Sequence, residues 1–171
     1  MGQRISQIKW YSESASKDVI IQNSFPKGGP YIDSTGKYTG YSFLIFFTRI
    51  INETASPLEL TINFPADSFA IPADPGHYLR LFLPPDTMTD DKESLYNYGA
   101  AGLESFLDTG LNKPTTLKRV INPKEECLFY TGALPGGGCR AGFVLKGQDL
   151  FYRINIIPDL LIPFGRIVIK K

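Results

Sequence analysis

The feature that most constrains this chain is strict alternation of apolar and polar residues. Leu58, Leu60, Ile62 and Phe64 alternate with Glu59, Thr61 and Asn63. Successive strand side chains point to opposite faces, so this segment has one core face and one wet face. Just upstream, residues 41–52 are apolar on both faces. Tyr41, Phe43, Ile45 and Phe47 share one side, and Leu44, Phe46 and Ile50 share the other. A strand of that kind sits centrally and is covered twice. The link at residues 53–57 suits a short hairpin connection, and Pro65 stops the second strand because it cannot donate to a ladder.

The same reading extends along the chain. Residues 18–22, 78–83, 115–121, 126–130, 140–146, 150–157 and 165–170 read as strands. Pro and Gly clusters punctuate them at 26–30, 84–85, 122–125 and 135–138. Residues 92–110 break the pattern. Leu103, Phe106 and Leu107 fall at helical spacing and Gly110 fits a C-cap, so one short helix is expected over 102–109. Residues 1–17 are polar and read as an irregular N-terminal arm with Trp10 and Tyr11 as an anchor. Residues 18–171 read as one domain, without repeats or linkers.

About nine strands without βαβ alternation predict an all-β fold, an antiparallel sandwich, because strands with one apolar face must bury it against a second sheet. A closed barrel is the alternative. The whole pattern resembles a bacterial immunoglobulin-like sandwich. It is a likeness of pattern that carries no residues over, and fold does not give function. The expected core comprises Phe43, Ile45, Phe47, Leu58, Leu60, Ile62, Phe64, Leu81, Leu117, Phe143, Tyr152 and Ile154.

Charge excludes some partners. Eighteen Lys and Arg face 17 Asp and Glu, a net charge of +1. No basic surplus is available to neutralise phosphates, so no nucleic-acid partner is expected. The longest apolar run, residues 43–47, is far short of the roughly 20 residues that cross a bilayer as a helix, so no membrane span is expected. The wealth of Tyr, Thr, Ser and Pro suits an exported bacterial domain. A periplasmic or extracellular location is favoured over a cytoplasmic one, with any leader absent from this sequence.

Catalytic and cofactor signatures are weak. No cofactor or metal is expected: one histidine and two cysteines cannot complete a zinc site of Cys and His ligands. His77 lies in a turn, and no Gly-x-Ser-x-Gly elbow accompanies it. The glycines of 28–36 with Lys37 resemble a phosphate loop only superficially, because six residues separate Gly29 from Gly36. The acidic cluster Asp86, Asp90, Asp91 and Glu93 precedes helical turns, where carboxylates favour the positive end of the dipole. A hairpin turning near Pro135 would set Cys127 opposite Val144 and Cys139 opposite Gly132, too far apart to bridge. Asn52-Glu53-Thr54 is a sequon.

The aromatics carry the strongest functional signal. Trp10, Tyr11, Tyr31, Tyr38, Tyr96 and Tyr98 fall outside the clear strands. Loop tyrosines present a flat apolar body with a polar tip, which suits sugars or proteins. Tyr96 and Tyr98 lie in the longest stretch that breaks the strand pattern. Alternation on an extended segment would put both rings on one face. They are the expected ligand-binding residues of a non-catalytic interaction domain with a protein or glycan partner. Competing expectations are a structural subunit of a phage or surface assembly, and a glycoside hydrolase using the 86–93 carboxylates.

Overall fold

The computed structural model describes residues 10–16, 18–72, 75–134, 140–157 and 161–170. Its twelve strands are β1 (Trp10–Ser16), β2 (Val19–Ser24), β3 (Lys27–Ile32), β4 (Tyr38–Asn52), β5 (Leu58–Phe64), β6 (Ser68–Ala70), β7 (Tyr78–Phe82), β8 (Thr115–Ile121), β9 (Glu126–Leu134), β10 (Ala141–Lys146), β11 (Asp149–Ile154) and β12 (Ile162–Ile169). One helix, α1 (Leu103–Thr109), follows two short 3-10 turns, Asp90–Lys92 and Tyr96–Gly99.

Two antiparallel sheets result, and the all-β sandwich architecture is as expected. The first has the order β1-β2-β4-β9-β7-β6, and β3 also pairs with β4. The second has the order β10-β11-β12-β5-β8. β4 organises the first sheet. β9 takes one edge over residues 44–51. The other edge is shared, β3 pairing along residues 38–45 and β2 along residues 48–52.

β4 is covered on both faces, as its sequence demands. Phe46 and Ile50 join β5, β12 and β11 in the core between the sheets, where Leu60, Ile62, Phe64, Phe143 and Tyr152 are buried. Phe43, Ile45 and Phe47 face outward, into a second core. That outer core is roofed by residues 84–111, which supply Met88, Tyr98, Leu103 and Leu107. Of the expected core only Leu117 is partly buried, on the edge strand β8; the other eleven residues are buried.

Four expectations are corrected. The strands number twelve among the described residues, against about nine expected. Residues 10–16 form β1, because the free edge of β2 offers unpaired backbone groups and Trp10 buries its ring edge-on against Phe47, 5.3 Å away. The 53–57 link is no hairpin: both edges of β4 are occupied, so the chain crosses to the second sheet, where β5 pairs with β8 and β12. β9 and β10 do not pair either, since β4 and β7 flank β9. Cys127 therefore does not face Val144; it faces Ile50 and is a free thiol. Residues 1–9, Cys139 and the 135–138 tip lie outside the described residues.

Candidate functional site

The roof over the outer core begins where Pro84 and Pro85 end β7. It is held by the acidic cluster. Asp86 accepts hydrogen bonds from the backbone N–H groups of Thr87 and Ala101, both at 2.8 Å, and pairs with the Lys92 ammonium at 3.2 Å. Burial works to raise the Asp86 pKa, but these donors outweigh it and hold the carboxyl below its usual value. Asp90 pairs with Arg49 of β4. Asp91 accepts from the Thr89 hydroxyl, which holds it below the ordinary range. The cluster that offered a hydrolase its carboxylates thus has structural partners at Asp86, Asp90 and Asp91. Among the described residues, no group of three His, Cys, Asp or Glu side chains could hold a metal ion.

Lys27 fastens the middle of the roof. Its ammonium donates to the carbonyls of Glu93 and Leu95 at 2.7 and 2.9 Å and stands 4.3 Å from the centre of the Tyr98 ring. Asp108 fastens the far end: it accepts from the Tyr31 hydroxyl and, at 2.8 Å, from the Ser34 N–H. Burial, with the Asp108 carboxylate beside it, pushes the Tyr31 phenol up to about 12. The same bonds pull Asp108 below its ordinary value.

Between β3 and this roof lies an open groove of about 550 Å³. Phe43, Leu103 and Leu107 give it an apolar base, and Pro30, Tyr31 and Ile32 form one wall. Tyr96, Asn97, Glu104 and Ser105 bring polar groups to it. Its size falls within the range of about 300–1,000 Å³ typical of small-molecule sites, as does its mix of apolar surface and few polar groups.

The structure separates the two expected site residues. Tyr96 is 75% exposed and lines the groove, its hydroxyl close over β3: a Cβ at Gly29 would lie 2.8 Å from it. Tyr98 is only 5% exposed. Its hydroxyl donates to the Phe25 carbonyl, its ring meets Phe47 edge-on at 4.8 Å, and its own carbonyl accepts from Tyr130 at 2.6 Å. Asn97 and Tyr98 both have left-handed backbones, φ 50° and 54°. The segment is a tight turn instead of an extended one, so the two rings do not share a face. Tyr98 positions the roof, and Tyr96 is left at the surface.

Sequence reasoning missed Asn97 and Glu104. Asn is among the few residues that enter the left-handed region readily, and Asn97 stands two residues before Gly99. That was the signal available for a turn. Among the remaining aromatics, Trp10 is buried, whereas Tyr11 and Tyr38 are exposed. His77 is exposed between β6 and β7 and packs edge-on against Tyr41, 6.4 Å between centres. The superficial phosphate loop is strand β3 and an Asx turn, in which Asp33 accepts from the N–H groups of Thr35 and Lys37. The sequon asparagine, Asn52, is fully buried, and its amide donates to the carbonyls of Ser56 and Ile121. No helix among the described residues is long and apolar enough to cross a membrane. No protein-family model matches the chain, and no curated protein matches it.

Proposed function

We propose that this is a non-catalytic binding domain that receives a protein or glycan partner in the groove between β3 and the 84–111 roof. One observation carries the reading: Tyr96 is a large aromatic side chain left 75% exposed at the mouth of a groove whose frame is otherwise tied down. Lys27, Asp86 and Asp108 fix that frame with hydrogen bonds from three directions. A fixed frame lowers the ordering a partner must impose on binding. Exposed tyrosine supplies contact area at small entropic loss, since it has two side-chain torsions. The finer description, an immunoglobulin-like sandwich of an exported bacterial protein, is part of the same proposal. It is supported by the strand-and-turn pattern and by the richness in Tyr, Thr, Ser and Pro.

The test is a pull-down from the source organism together with a glycan array, each repeated with Tyr96→Ala. Binding that is lost in the variant supports the groove. Binding that the variant retains in full places the site elsewhere. Turnover of a substrate, abolished by Asp91→Asn or His77→Ala, would overturn the non-catalytic reading.

A further inference from the structure

Two polar side chains of the groove are left unused by the fold. Glu104, in the first turn of α1, is exposed and lines the groove; among the described residues its carboxylate has no ion pair or hydrogen bond. It is the one charged residue in the lining. Asp108 follows one turn later, and α1 has no basic residue to offset the pair. Like charges four residues apart repel, and an anion in the last turn of a helix meets the negative end of its dipole. Asp33 and Lys37 share the β3–β4 turn and offset each other, and the one cation of β3, Lys27, is spent on two carbonyls. The second unused side chain is Asn97, only 7% exposed. Its Oδ1 is sealed from solvent, so a ligand can reach only the amide Nδ2, which has no partner among the described residues and keeps contact with the groove. An asparagine so buried with neither polar atom bonded is uncommon in a folded protein.

Resting on the binding reading above, we propose that the groove takes a basic peptide segment of a protein partner. A lysine or arginine stem packs on Tyr96 and the apolar base, its cation meets the Glu104 carboxylate, and a main-chain carbonyl of the segment accepts from Asn97 Nδ2. Long basic side chains bury their methylene stems on apolar surface while the charge stays at the rim. The inventory of free groups selects this partner. Asn97 Nδ2 donates, the Glu104 carboxylate accepts, and the Tyr96 and Ser105 hydroxyls do either. A phosphate, sulfate or acidic group meets Glu104 with repulsion and finds no lining cation. A neutral sugar leaves the Glu104 charge without a counter-charge, and a simple polyamine brings no acceptor for Nδ2. A peptide brings N–H and C=O groups in equal number, and one basic residue completes the match. The wall favours an extended chain as well. Pro30, Tyr31 and Ile32 belong to β3, which among the described residues pairs only with β4. Its outer edge therefore offers unpaired main-chain groups, less the one donor that Pro30 lacks, and such edges are where extended peptides add.

The experiment pans the full chain against two capped heptapeptide libraries, one with lysine or arginine at the central position and one with glutamine or norleucine there. The best binders are then titrated by calorimetry. The basic library yields binders that the uncharged library does not match. Glu104→Gln weakens the selected basic peptide by about three- to fivefold, the range of an exposed ion pair, and Asn97→Gly by a similar factor. Raising the salt from about 0.05 to about 0.5 M weakens binding by the parent and leaves binding by Glu104→Gln nearly unchanged, which a merely structural Glu104 would not do. Failure of the basic library, equal success of the uncharged one, or a Glu104→Gln variant that binds like the parent overturns the proposal. Full binding by Asn97→Gly overturns the carbonyl contact. If an acidic peptide or a glycan binds instead and Tyr96→Ala weakens it, the binding groove stands and only the basic partner is wrong. If a basic peptide binds and Tyr96→Ala changes nothing, the groove itself is wrong. Residues 1–9 carry Arg4 and Lys9. Tighter peptide binding by the full chain with Arg4→Gln and Lys9→Gln would make that segment the occupant and overturn a separate partner.

Discussion

Replacing Asn23 with alanine removes the polar clasp between the two sheets. Asn23 is 2% exposed on β2. Its Oδ1 accepts from the Phe143 N–H and the Thr48 hydroxyl, both at 2.9 Å. Its Nδ2 donates to the Phe143 carbonyl and to the Ser12 hydroxyl, both at 3.0 Å. Phe143 lies on β10, an edge strand of the second sheet. The side-chain amide thus pairs the backbone of β10 as a neighbouring strand residue would. Alanine breaks four bonds and strands three buried groups: the N–H and C=O of Phe143 and the Thr48 hydroxyl. Each neutral bond contributes about 1 kcal/mol net, so the four together contribute about 4 kcal/mol. Partial entry of water offsets some of this, so we expect a loss of about 3–4 kcal/mol, a large share of the roughly 5–15 kcal/mol that stabilises a typical domain. Urea denaturation followed by tryptophan fluorescence measures it, with the slope m unchanged. The melting temperature falls by roughly 6–15 °C for a chain of this size. Gly142 gives an internal control. A Cβ there would lie 2.5 Å from the Asn23 Cγ, so Gly142→Ala alone loses about 1–3 kcal/mol. With Asn23→Ala already present the contacts to Cγ and Nδ2 disappear and only the Cβ contact at 2.8 Å remains, so the double variant is more stable than additivity requires by about 1 kcal/mol. An Asn23→Ala loss below about 1 kcal/mol, or strict additivity, refutes the clasp.

Three further outcomes follow from the same packing. Ile62→Ala, at a fully buried position in the core between the sheets, loses about 2–5 kcal/mol in the same urea assay; a loss below ~0.5 kcal/mol would mean that its face is wrongly assigned. Burial pushes the Cys127 thiol up to about 11, so it stays protonated near neutral pH and reacts with a disulfide reagent only after the sheet opens; immediate labelling of a Cys139→Ser variant in native buffer contradicts this. Tyr31 is raised from 10.0 to about 12 on folding, so its contribution to stability is complete below pH 10 and is lost as the pH rises from 10 to about 12. In Asp108→Asn, ultraviolet difference titration of that phenol moves back toward 10, and an unchanged titration would mean that Asp108 has no part in the shift.

Periodicity made the central strands legible because burial there depends only on local sequence. The two apolar faces of residues 41–52 correspond to two separate cores, and helix α1 ends at Gly110 as its leucine spacing and C-cap require. Pairing was less legible. The 53–57 link carries the Ser and Pro residues of a hairpin turn, yet it joins strands of different sheets, and β9 and β10 likewise belong to different sheets. A crossing loop and a hairpin use the same turn chemistry, and only the occupancy of the strand edges separates them. β3 was hidden for another reason. Its Lys-Gly-Gly-Pro run reads as a turn, but Gly28 is required by close approach: a Cβ there would stand 2.0 Å from the Phe43 carbonyl oxygen. Glycine can mark a tight strand contact as well as a bend.

The groove shows where sequence reasoning fails at a site. Alternation places residues i and i+2 on one face only while the backbone is extended. At Tyr-Asn-Tyr-Gly two left-handed residues intervene, and the second tyrosine turns inward as the first stays out. The two residues should therefore respond in opposite ways. Tyr98→Ala removes a ring that packs on Phe47, a hydroxyl bonded to Phe25 and the partner of the Lys27 cation. It should lose about 3–5 kcal/mol, as buried aromatics do. Tyr96→Ala removes an exposed ring and should stay within about 0.5 kcal/mol of the parent, while it abolishes binding in the groove. Urea denaturation of both variants, beside one binding assay, separates structure from function here. Equal destabilisation would mean that both rings support the roof. A harmless Tyr98→Ala with impaired binding would mean that the turn presents the second ring to the ligand and not the first.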